Sequence, residues 1–345
     1  MPEPILSIDG LTVEFATEDG VVHAVTDVSY DLQAGEVLGI VGESGSGKSV
    51  SMLSVLGLIP MPPGRIVSGE AAFQGEDLVR ASKKRLQEIR GGAIAMIFQD
   101  PMTSLNPVFT IGDQISEAIL AHNPGTGEKA ARERTVHLLE LVGVPFAERR
   151  IEQYPHEFSG GMRQRAMIAM AIANEPRILI ADEPTTALDV TIQAQIVEVL
   201  RSAQQETHAA TVLITHDLGL IAELADRVVV MYAGRVVEIG DVYEIFNSPS
   251  HPYTIGLMGS LARLDSEQDR LEPIPGQPPS LISPPPGCAF HPRCAASQGR
   301  EICRTEIPEL RAAADESGVH RSACHFLEEL AARRVGAGSA AGEAP

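Results

Sequence analysis

The chain has 345 residues, enough to bury a full hydrophobic core in one large domain with an appendage, or in two domains. Its 46 acidic residues outnumber 27 Lys and Arg, so the formal net charge of -19 disfavours non-specific binding to nucleic acid and to anionic lipid. The N-terminus lacks a signal-peptide pattern, and no apolar run approaches the roughly 20 residues that cross a bilayer, which predicts a cytosolic chain that spans no membrane.

The predicted elements begin with strands. Residues 1–40 alternate apolar and polar side chains around Asp19-Gly20, a pattern that predicts a β-hairpin. Short, continuously apolar runs follow, and each fits a strand buried on both faces. These runs lie at residues 37–41, 178–181, 211–215 and 228–231. Because helical stretches separate them, the expected core is a parallel α/β sheet.

A helical insertion into this sheet is predicted over residues 101–175, where Val136, Leu139 and Val142 share one face of a helix. Seven prolines between Pro273 and Pro286 then indicate an extended, stiff segment at a domain boundary. The predicted divisions are a nucleotide-binding sheet domain over residues 1–250, a Pro-rich linker over 251–287, a Cys-rich region over 288–330 and a disordered tail over 331–345.

A phosphate-binding loop is predicted directly after the first buried strand, because residues 42–49 match the pattern G-x-x-x-x-G-K-S/T and a helical segment follows. Such a loop points backbone N–H groups and a helix N-terminus at phosphate. Lys48 would reach the β- and γ-phosphates of a nucleotide, and Ser49 would bind magnesium. The alternative is a Gly/Ser-rich loop with a chance lysine, which the flanking strand disfavours. The residues expected at the nucleotide are Gly42, Ser44, Gly45, Ser46, Gly47, Lys48, Ser49 and Val50.

Two adjacent carboxylates, Asp182 and Glu183, end the second buried strand. They would point in opposite directions if strand geometry persists to this point. Asp182 could then hold magnesium while Glu183 polarises the water that attacks the γ-phosphate. Alone, such a pair is usually a solvated turn, but beside a phosphate-binding loop it indicates a catalytic site.

A second helix start also suits an anion. Ser159 is a good N-cap, and Gly160 and Gly161 after it allow close approach to the exposed N–H groups. An ordinary helix cap is the alternative reading. Two phosphate-binding helix starts far apart in one chain suggest that a nucleotide is shared between two copies of the fold.

These motifs resemble the ABC-transporter ATPase family, whose signature loop reads LSGGQ where residues 158–162 read FSGGM. The resemblance implies a P-loop NTPase (RecA-like) core with an N-terminal antiparallel β subdomain and a helical insertion. It also implies that Ser159, Gly160 and Gly161 contact ATP bound by a second ABC ATPase subunit, as a hetero- or homodimer.

The resemblance assigns further roles by motif. Gln99 matches the Q-loop glutamine, Asp189 belongs to the D-loop and His216 matches the switch histidine that senses the γ-phosphate. Glu183, His216 and Gln99 are the expected catalytic residues, and Ser49, Gln99 and Asp182 the expected magnesium ligands. Phe15 is the candidate for stacking on adenine, with Tyr30 as the fallback and core packing as the alternative.

Longer stretches, including residues 41–50, 99–107 and 182–191, are similar to the dipeptide/oligopeptide permease ATPases, and the resemblance extends from about Leu6 to Phe326. It implies ATP hydrolysis coupled to import of di- or oligopeptides or nickel chelates. The implied partners are two transmembrane permease subunits and, indirectly, an extracytoplasmic substrate-binding protein, with the chain at the cytoplasmic face of the membrane. A soluble ABC ATPase of DNA repair or chromosome maintenance is the rival, disfavoured by the acidic charge and the absence of sustained heptads.

Apolar residues just after Gln99 could dock a membrane subunit or pack within the insertion, and the sequence favours neither. They are Met102, Leu105, Pro107, Val108 and Phe109.

All four cysteines lie after the Pro-rich stretch, spaced C-x5-C-x8-C-x20-C. A reducing cytosol argues against disulfides, so clustered thiols there favour a metal site. The spacing matches neither common zinc nor common ferredoxin patterns, and unligated thiols remain an alternative. The resemblance to the permease C-terminal region favours a structural 4Fe-4S cluster, with Zn2+ next. The expected ligands are Cys288, Cys294, Cys303 and Cys324.

Overall fold

The computed structural model describes residues 3–100, 104–186, 188–260, 273–313 and 319–332. Most of the predicted tail, together with Met102 and Ala187, lies outside these residues. The strands are β1 (Leu6–Thr17), β2 (Gly20–Leu32), β3 (Val37–Val41), β4 (Gly64–Phe73), β5 (Glu76–Asp77), β6 (Ile94–Ile97), β7 (Ile178–Asp182), β8 (Ala210–Ile214), β9 (Arg227–Tyr232), β10 (Arg235–Asp241), β11 (Arg311–Ala312) and β12 (Arg321–Ser322).

The helices alternate with these strands. They are α1 (Lys48–Val55), α2 (Lys83–Ile89), α3 (Ile111–His122), α4 (Glu128–Leu141), α5 (Ala147–Arg150), α6 (Gly160–Ala171), α7 (Val190–Thr207), α8 (Leu218–Leu224), α9 (Val242–Asn247), α10 (Pro252–Gly259) and α11 (Glu301–Thr305), with short 3-10 turns at Pro155–Glu157 and His291–Arg293. No helix of the described residues is both long and apolar enough to cross a membrane.

A four-stranded antiparallel sheet, in the order β2-β1-β4-β5, opens the chain. The predicted hairpin is present, with Thr17 opposite Gly20 at the turn. Its inward-facing side chains are fully buried, as at Leu11, Val13 and Val28. The alternating pattern therefore places one face of this sheet in the core and the other towards solvent.

The second sheet has eight strands in the order β11-β12-β10-β9-β3-β8-β7-β6. Strands β9, β3, β8, β7 and β6 are parallel, as expected from their continuously apolar sequences. Strands β10, β12 and β11 extend one edge in antiparallel pairing, which the sequence pattern did not predict. The core is therefore a parallel sheet with an antiparallel edge.

Helices α3 to α6 lie within residues 101–175, where an insertion was predicted, and their apolar faces join a core cluster that extends to the central sheet. Leu139 is fully buried on α4, Val142 caps this helix and Gly143 follows with a positive φ of 73°. The periodicity that predicted one apolar face thus corresponds to real burial.

The Pro-rich stretch contains no helix or strand over residues 273–287, and it is hydrogen-bonded to the N-terminal sheet. The backbone N–H of His23 on β2 donates to the Leu281 carbonyl at 2.9 Å, and Ile282 lies against Gly20. The chain then reaches the Cys-rich region and returns through β12, which pairs with β10 through Glu238 and Ile239. The C-terminal region therefore completes the edge of the main sheet.

Candidate functional site

The phosphate-binding loop connects β3 to α1, and its glycines are required by its backbone. Gly47 precedes α1 with a φ of 98°, and a Cβ added there would lie 2.4 Å from the Ala24 carbonyl oxygen. A Cβ on Gly42 would lie 2.1 Å from the Met231 carbonyl oxygen. Only glycine fits at Gly42 and Gly47, because a carbonyl oxygen of another backbone segment lies so close to each.

Polar groups converge inside this loop. The Lys48 ammonium donates to the carbonyl oxygens of Gly42 at 2.8 Å and Glu43 at 3.0 Å. Burial lowers the pKa of Lys48, while the nearby carboxylates oppose that shift. Among the side-chain atoms of the described residues, the buried Ser46 hydroxyl oxygen is one that lacks a hydrogen-bond partner. Such a group suits a bound polar ligand, because a buried polar atom left unpaired costs stability.

Ser49 and Asp182 meet from separate elements. The Ser49 hydroxyl at the start of α1 donates to Asp182 Oδ1 at the end of β7, at 2.7 Å. Burial raises the pKa of Asp182, and the Ser49 hydrogen bond partly offsets that shift. A hydroxyl and a carboxylate side by side are the oxygen donors that Mg2+ prefers, so the pair fits the expected ion.

Glu183 follows β7 with a positive φ of 47°, so strand geometry ends at Asp182 and the two carboxylates separate. Gln99 Nε2 donates to Glu183 Oε2 at 3.0 Å, and the Thr186 hydroxyl donates to the same oxygen at 2.8 Å. The Nδ1 atom of the exposed His216 lies 3.4 Å from Glu183 Oε1. The structure thus brings the three predicted catalytic side chains together and adds Thr186, which the sequence argument did not single out.

The second helix start lies in the helical region. Ser159 caps α6 by accepting a hydrogen bond from the Met162 backbone N–H at 3.4 Å, and both Ser159 and Gly160 are exposed. Asp189 caps α7 in the same way through the Ile192 N–H at 3.0 Å. Gly161 lies against Ile192, so the two helix starts are neighbours on one surface.

The two aromatic candidates differ in exposure. Phe15 on β1 is half-buried and contacts Gly64. Tyr30 is buried, its hydroxyl lies 3.5 Å from Ser51 Oγ, and burial raises its pKa. The fallback assignment of Tyr30 to adenine stacking is wrong, because its ring belongs to the core.

The four cysteines have free thiols and line one small cavity. Burial raises the pKa of every one of them, to about 12 for Cys288 and about 11 for Cys324. Within the described ranges, however, no group of three or more His, Cys, Asp or Glu side chains is arranged to hold a metal ion. The four thiols therefore line the same cavity, but their arrangement is not that of a metal-binding site.

A connection missed by the sequence argument joins the C-terminal region to the phosphate-binding loop. Arg293 pairs with Glu43 through two N–H groups, at 2.8 Å and 3.0 Å, and this pairing raises the pKa of Arg293. The Glu43 backbone N–H also donates to the Tyr253 hydroxyl at 2.9 Å. Nothing in the local sequence could have indicated contacts across more than 200 positions.

A phosphate-binding loop on a parallel sheet, with a carboxylate pair at the end of another strand of that sheet and an exposed second helix start, is the arrangement of an ABC-type nucleotide-binding domain. Residues 25–186 match the family described as ABC transporter, and residues 237–303 match the oligopeptide/dipeptide transporter C-terminal region. The dimeric post-hydrolysis state of an ATP-binding cassette bound to ADP and Pi superposes with a TM-score of 0.62 at 26% identity, over 69% of this chain and 98% of that chain.

Whole-chain relatives are more similar. The dipeptide transport ATP-binding protein of Escherichia coli (strain K12) is 50% identical over 329 residues, which is 95% of this chain and 98% of that protein. That of Bacillus subtilis (strain 168) is 55% identical over 292 residues, 85% of this chain and 87% of that protein. The chain belongs to the family of ATP-hydrolysing subunits of dipeptide and oligopeptide ABC transporters. These matches give no support to the DNA-repair alternative.

Proposed function

We propose that this chain hydrolyses ATP at the interface of two ABC subunits and thereby drives import of di- or oligopeptides through separate membrane subunits. The observation that carries the proposal is the Glu183 carboxylate, held by Gln99 and Thr186 beside the phosphate-binding loop. Family membership and the match of residues 237–303 to the transporter C-terminal region support the peptide cargo.

In this proposal the phosphate-binding loop binds the triphosphate of ATP, and Glu183 at the end of β7 activates the attacking water. Backbone N–H groups of residues 42–49 and the N-terminus of α1 bind phosphate oxygens, and Lys48 turns from the loop carbonyls to the β- and γ-phosphates. Ser49, Asp182 and Gln99 would hold Mg2+, which would neutralise charge on the phosphates. Glu183 accepts a hydrogen bond from the attacking water, and His216, whose Nδ1 lies 3.4 Å from Glu183 Oε1, contacts the γ-phosphate. Phe15 stacks on the adenine ring.

The exposed start of α6 completes the site of a second subunit. Ser159 and Gly160 face solvent, so their N–H and hydroxyl groups are available to the γ-phosphate of ATP held by a partner. The neighbouring Asp189 at the start of α7 contacts the partner across the same interface. Each nucleotide is then bound by one phosphate-binding loop and one serine-glycine turn from different chains.

An apolar groove between β6, α3 and α6 is the proposed contact with the membrane subunits. Its lining includes Ala121, Met170 and Phe98, and Phe98 directly precedes Gln99 in the sequence. Phe98, Val108 and Phe109 are large apolar side chains that remain exposed, whereas Leu105 is buried in the core. In the segment after Gln99, Leu105 therefore packs within the protein, whereas Val108 and Phe109 are free to dock a membrane subunit. This exposed part suits an apolar helix of a permease at the cytoplasmic face.

The four cysteines are the proposed ligands of a structural metal group. Their thiols line one cavity, and the pKa of each is raised by burial, which disfavours free thiolate without a cation. The match of residues 237–303 to the oligopeptide/dipeptide transporter C-terminal region leads us to propose a 4Fe-4S cluster ahead of a single Zn2+. Iron, sulfide and zinc analysis of protein purified without oxygen distinguishes the two.

The test is transport. Tagged protein is purified from native membranes, its permease partners are identified by mass spectrometry, and the assembly is placed in vesicles with the external binding protein. We expect ATP-dependent uptake of labelled di- or oligopeptides that is lost in Lys48→Ala. Co-purification with DNA-processing proteins in place of permease subunits, or ATP turnover indifferent to permease and peptide, would contradict the proposal.

A further inference from the structure

The phosphate-binding loop carries a carboxylate of its own, and the C-terminal region neutralises it. Glu43 lies between Gly42 and Ser44, and its side chain is only 26% exposed. Arg293, whose side chain is 6% exposed, donates to both carboxylate oxygens, at 2.8 Å and 3.0 Å. A two-pronged contact of this kind fixes orientation as well as distance, because both N–H groups of one planar fork are engaged.

Contacts other than the one with Glu43 also fix the position of the Arg293 side chain. Its Nε donates to the Pro275 carbonyl at 2.9 Å, and its other N–H groups reach the Ile274 carbonyl and the Tyr232 hydroxyl at 3.3 Å. The guanidinium also lies 5.8 Å from the centre of the Tyr232 ring and 6.0 Å from that of Phe290. An arginine fixed by the Pro-rich segment and by aromatic rings loses little further freedom when it binds the loop.

The backbone of Glu43 also makes a hydrogen bond to the C-terminal region. The Glu43 N–H donates to the hydroxyl of Tyr253 on α10 at 2.9 Å, and the Tyr253 ring packs against those of Tyr232 and Phe290. The backbone and the side chain of Glu43 are therefore both bound by residues outside the sheet domain predicted to end at residue 250. Residues of the C-terminal region therefore pack directly against the phosphate-binding loop at Glu43.

We propose that Arg293 is a positioning residue that holds the phosphate-binding loop in its ATP-binding form and cancels the negative charge of Glu43. The proposal rests on the proposed ATP site. Without Arg293, the Glu43 carboxylate would lie half-buried, unpaired and close to the phosphates, which it repels. The Cys-rich region, where Arg293 directly precedes Cys294, is thus coupled to nucleotide affinity, and ATP binding stabilises that region in return.

The experiment is a double-mutant cycle on the full chain, with a fluorescent ATP analogue as the probe. Arg293→Gln should weaken binding about tenfold, a coupling within the usual range for contacting charged residues. Glu43→Gln removes the carboxylate that needs cancelling, so Arg293→Gln added to it should change affinity less than threefold. In the assembled transporter, Arg293→Gln should raise KM for ATP and leave kcat nearly unchanged.

Arg300→Gln is the matched control, because Arg300 makes a similar ion pair with Glu329 in the same region and stacks on Phe326. It should leave ATP affinity as in the wild type. If Arg293→Gln and Arg300→Gln weaken binding equally, or if Arg293→Gln is as harmful in the Glu43→Gln background as alone, the C-terminal region acts only through general stability and the inference is wrong. Failure of the wild type itself to bind the probe would instead refute the proposed ATP site.

Discussion

The backbone at Gly47 allows a quantitative test of the phosphate-binding loop. In Gly47→Ala the new Cβ meets the Ala24 carbonyl oxygen at 2.4 Å, and the φ of 98° disfavours any L side chain. The φ strain costs about 1 to 2 kcal/mol and the forced displacement of backbone about 1 to 3 kcal/mol more. If the loop relaxes into a form that cannot bind phosphate, about 3 kcal/mol corresponds to more than a hundredfold loss of ATP affinity.

The matched control is Gly35→Ala. Gly35 has a φ of 76° in the turn before β3, but nothing lies within 4 Å of an added Cβ. It should lower stability by the strain of about 1 to 2 kcal/mol and leave ATP affinity unchanged. Titration with a fluorescent ATP analogue and thermal unfolding measure the two effects. If Gly47→Ala binds the analogue within threefold of the wild type and is no less stable than Gly35→Ala, the close contact does not shape the loop.

Three further outcomes are expected. Lys48→Ala should weaken nucleotide binding, seen in the same titration, because the buried ammonium is the side-chain cation of the loop. Glu183→Gln should bind ATP normally and slow steady-state turnover in the assembled complex by about 100-fold or more; unchanged turnover would remove its role in water activation. His251 has its pKa lowered to about 4 by burial despite the nearby Glu238. Its contribution to stability is therefore complete above its unfolded pKa near 6.5 and lost as pH falls towards 4, by roughly 2 kcal/mol at pH 5. Thermal unfolding at pH 5 and pH 7 should show this loss, and a much smaller one in His251→Gln.

Local sequence predicts that the residues of the candidate nucleotide site come together, because they belong to short motifs at strand ends. The phosphate-binding loop follows β3 and the carboxylate pair lies at the end of β7, two strands away in the same parallel sheet. All strands of a parallel sheet present their carboxyl ends at one edge. Ser49 and Asp182 therefore meet although they are far apart in sequence. The fold class follows from the same apolar runs.

Contacts made by single side chains across the chain were not predictable. The pairing of Arg293 with Glu43 leaves no periodic pattern, because one arginine near a cysteine is equally consistent with a solvated surface. Strands β11 and β12 of the antiparallel edge were missed because they are only two residues long each. Strand β10 has seven residues and pairs with β9 across Ala233-Gly234, a turn that the sequence prediction did not use. The prolines indicated a segment without helix or strand, but they do not show that the Leu281 carbonyl accepts a hydrogen bond from His23 on β2.

The addition of β12 to the main sheet has a practical consequence for how this protein is produced. A version cut at residue 250 would expose the edge of β10 and would remove His320, whose Nε2 lies 2.7 Å from the fully buried Glu238 carboxylate. Open strand edges recruit other strands, and a buried charge without its partner destabilises its surroundings. Expression designs for the catalytic domain should therefore keep the chain through Ala323, whose N–H donates to Val237 at 2.8 Å.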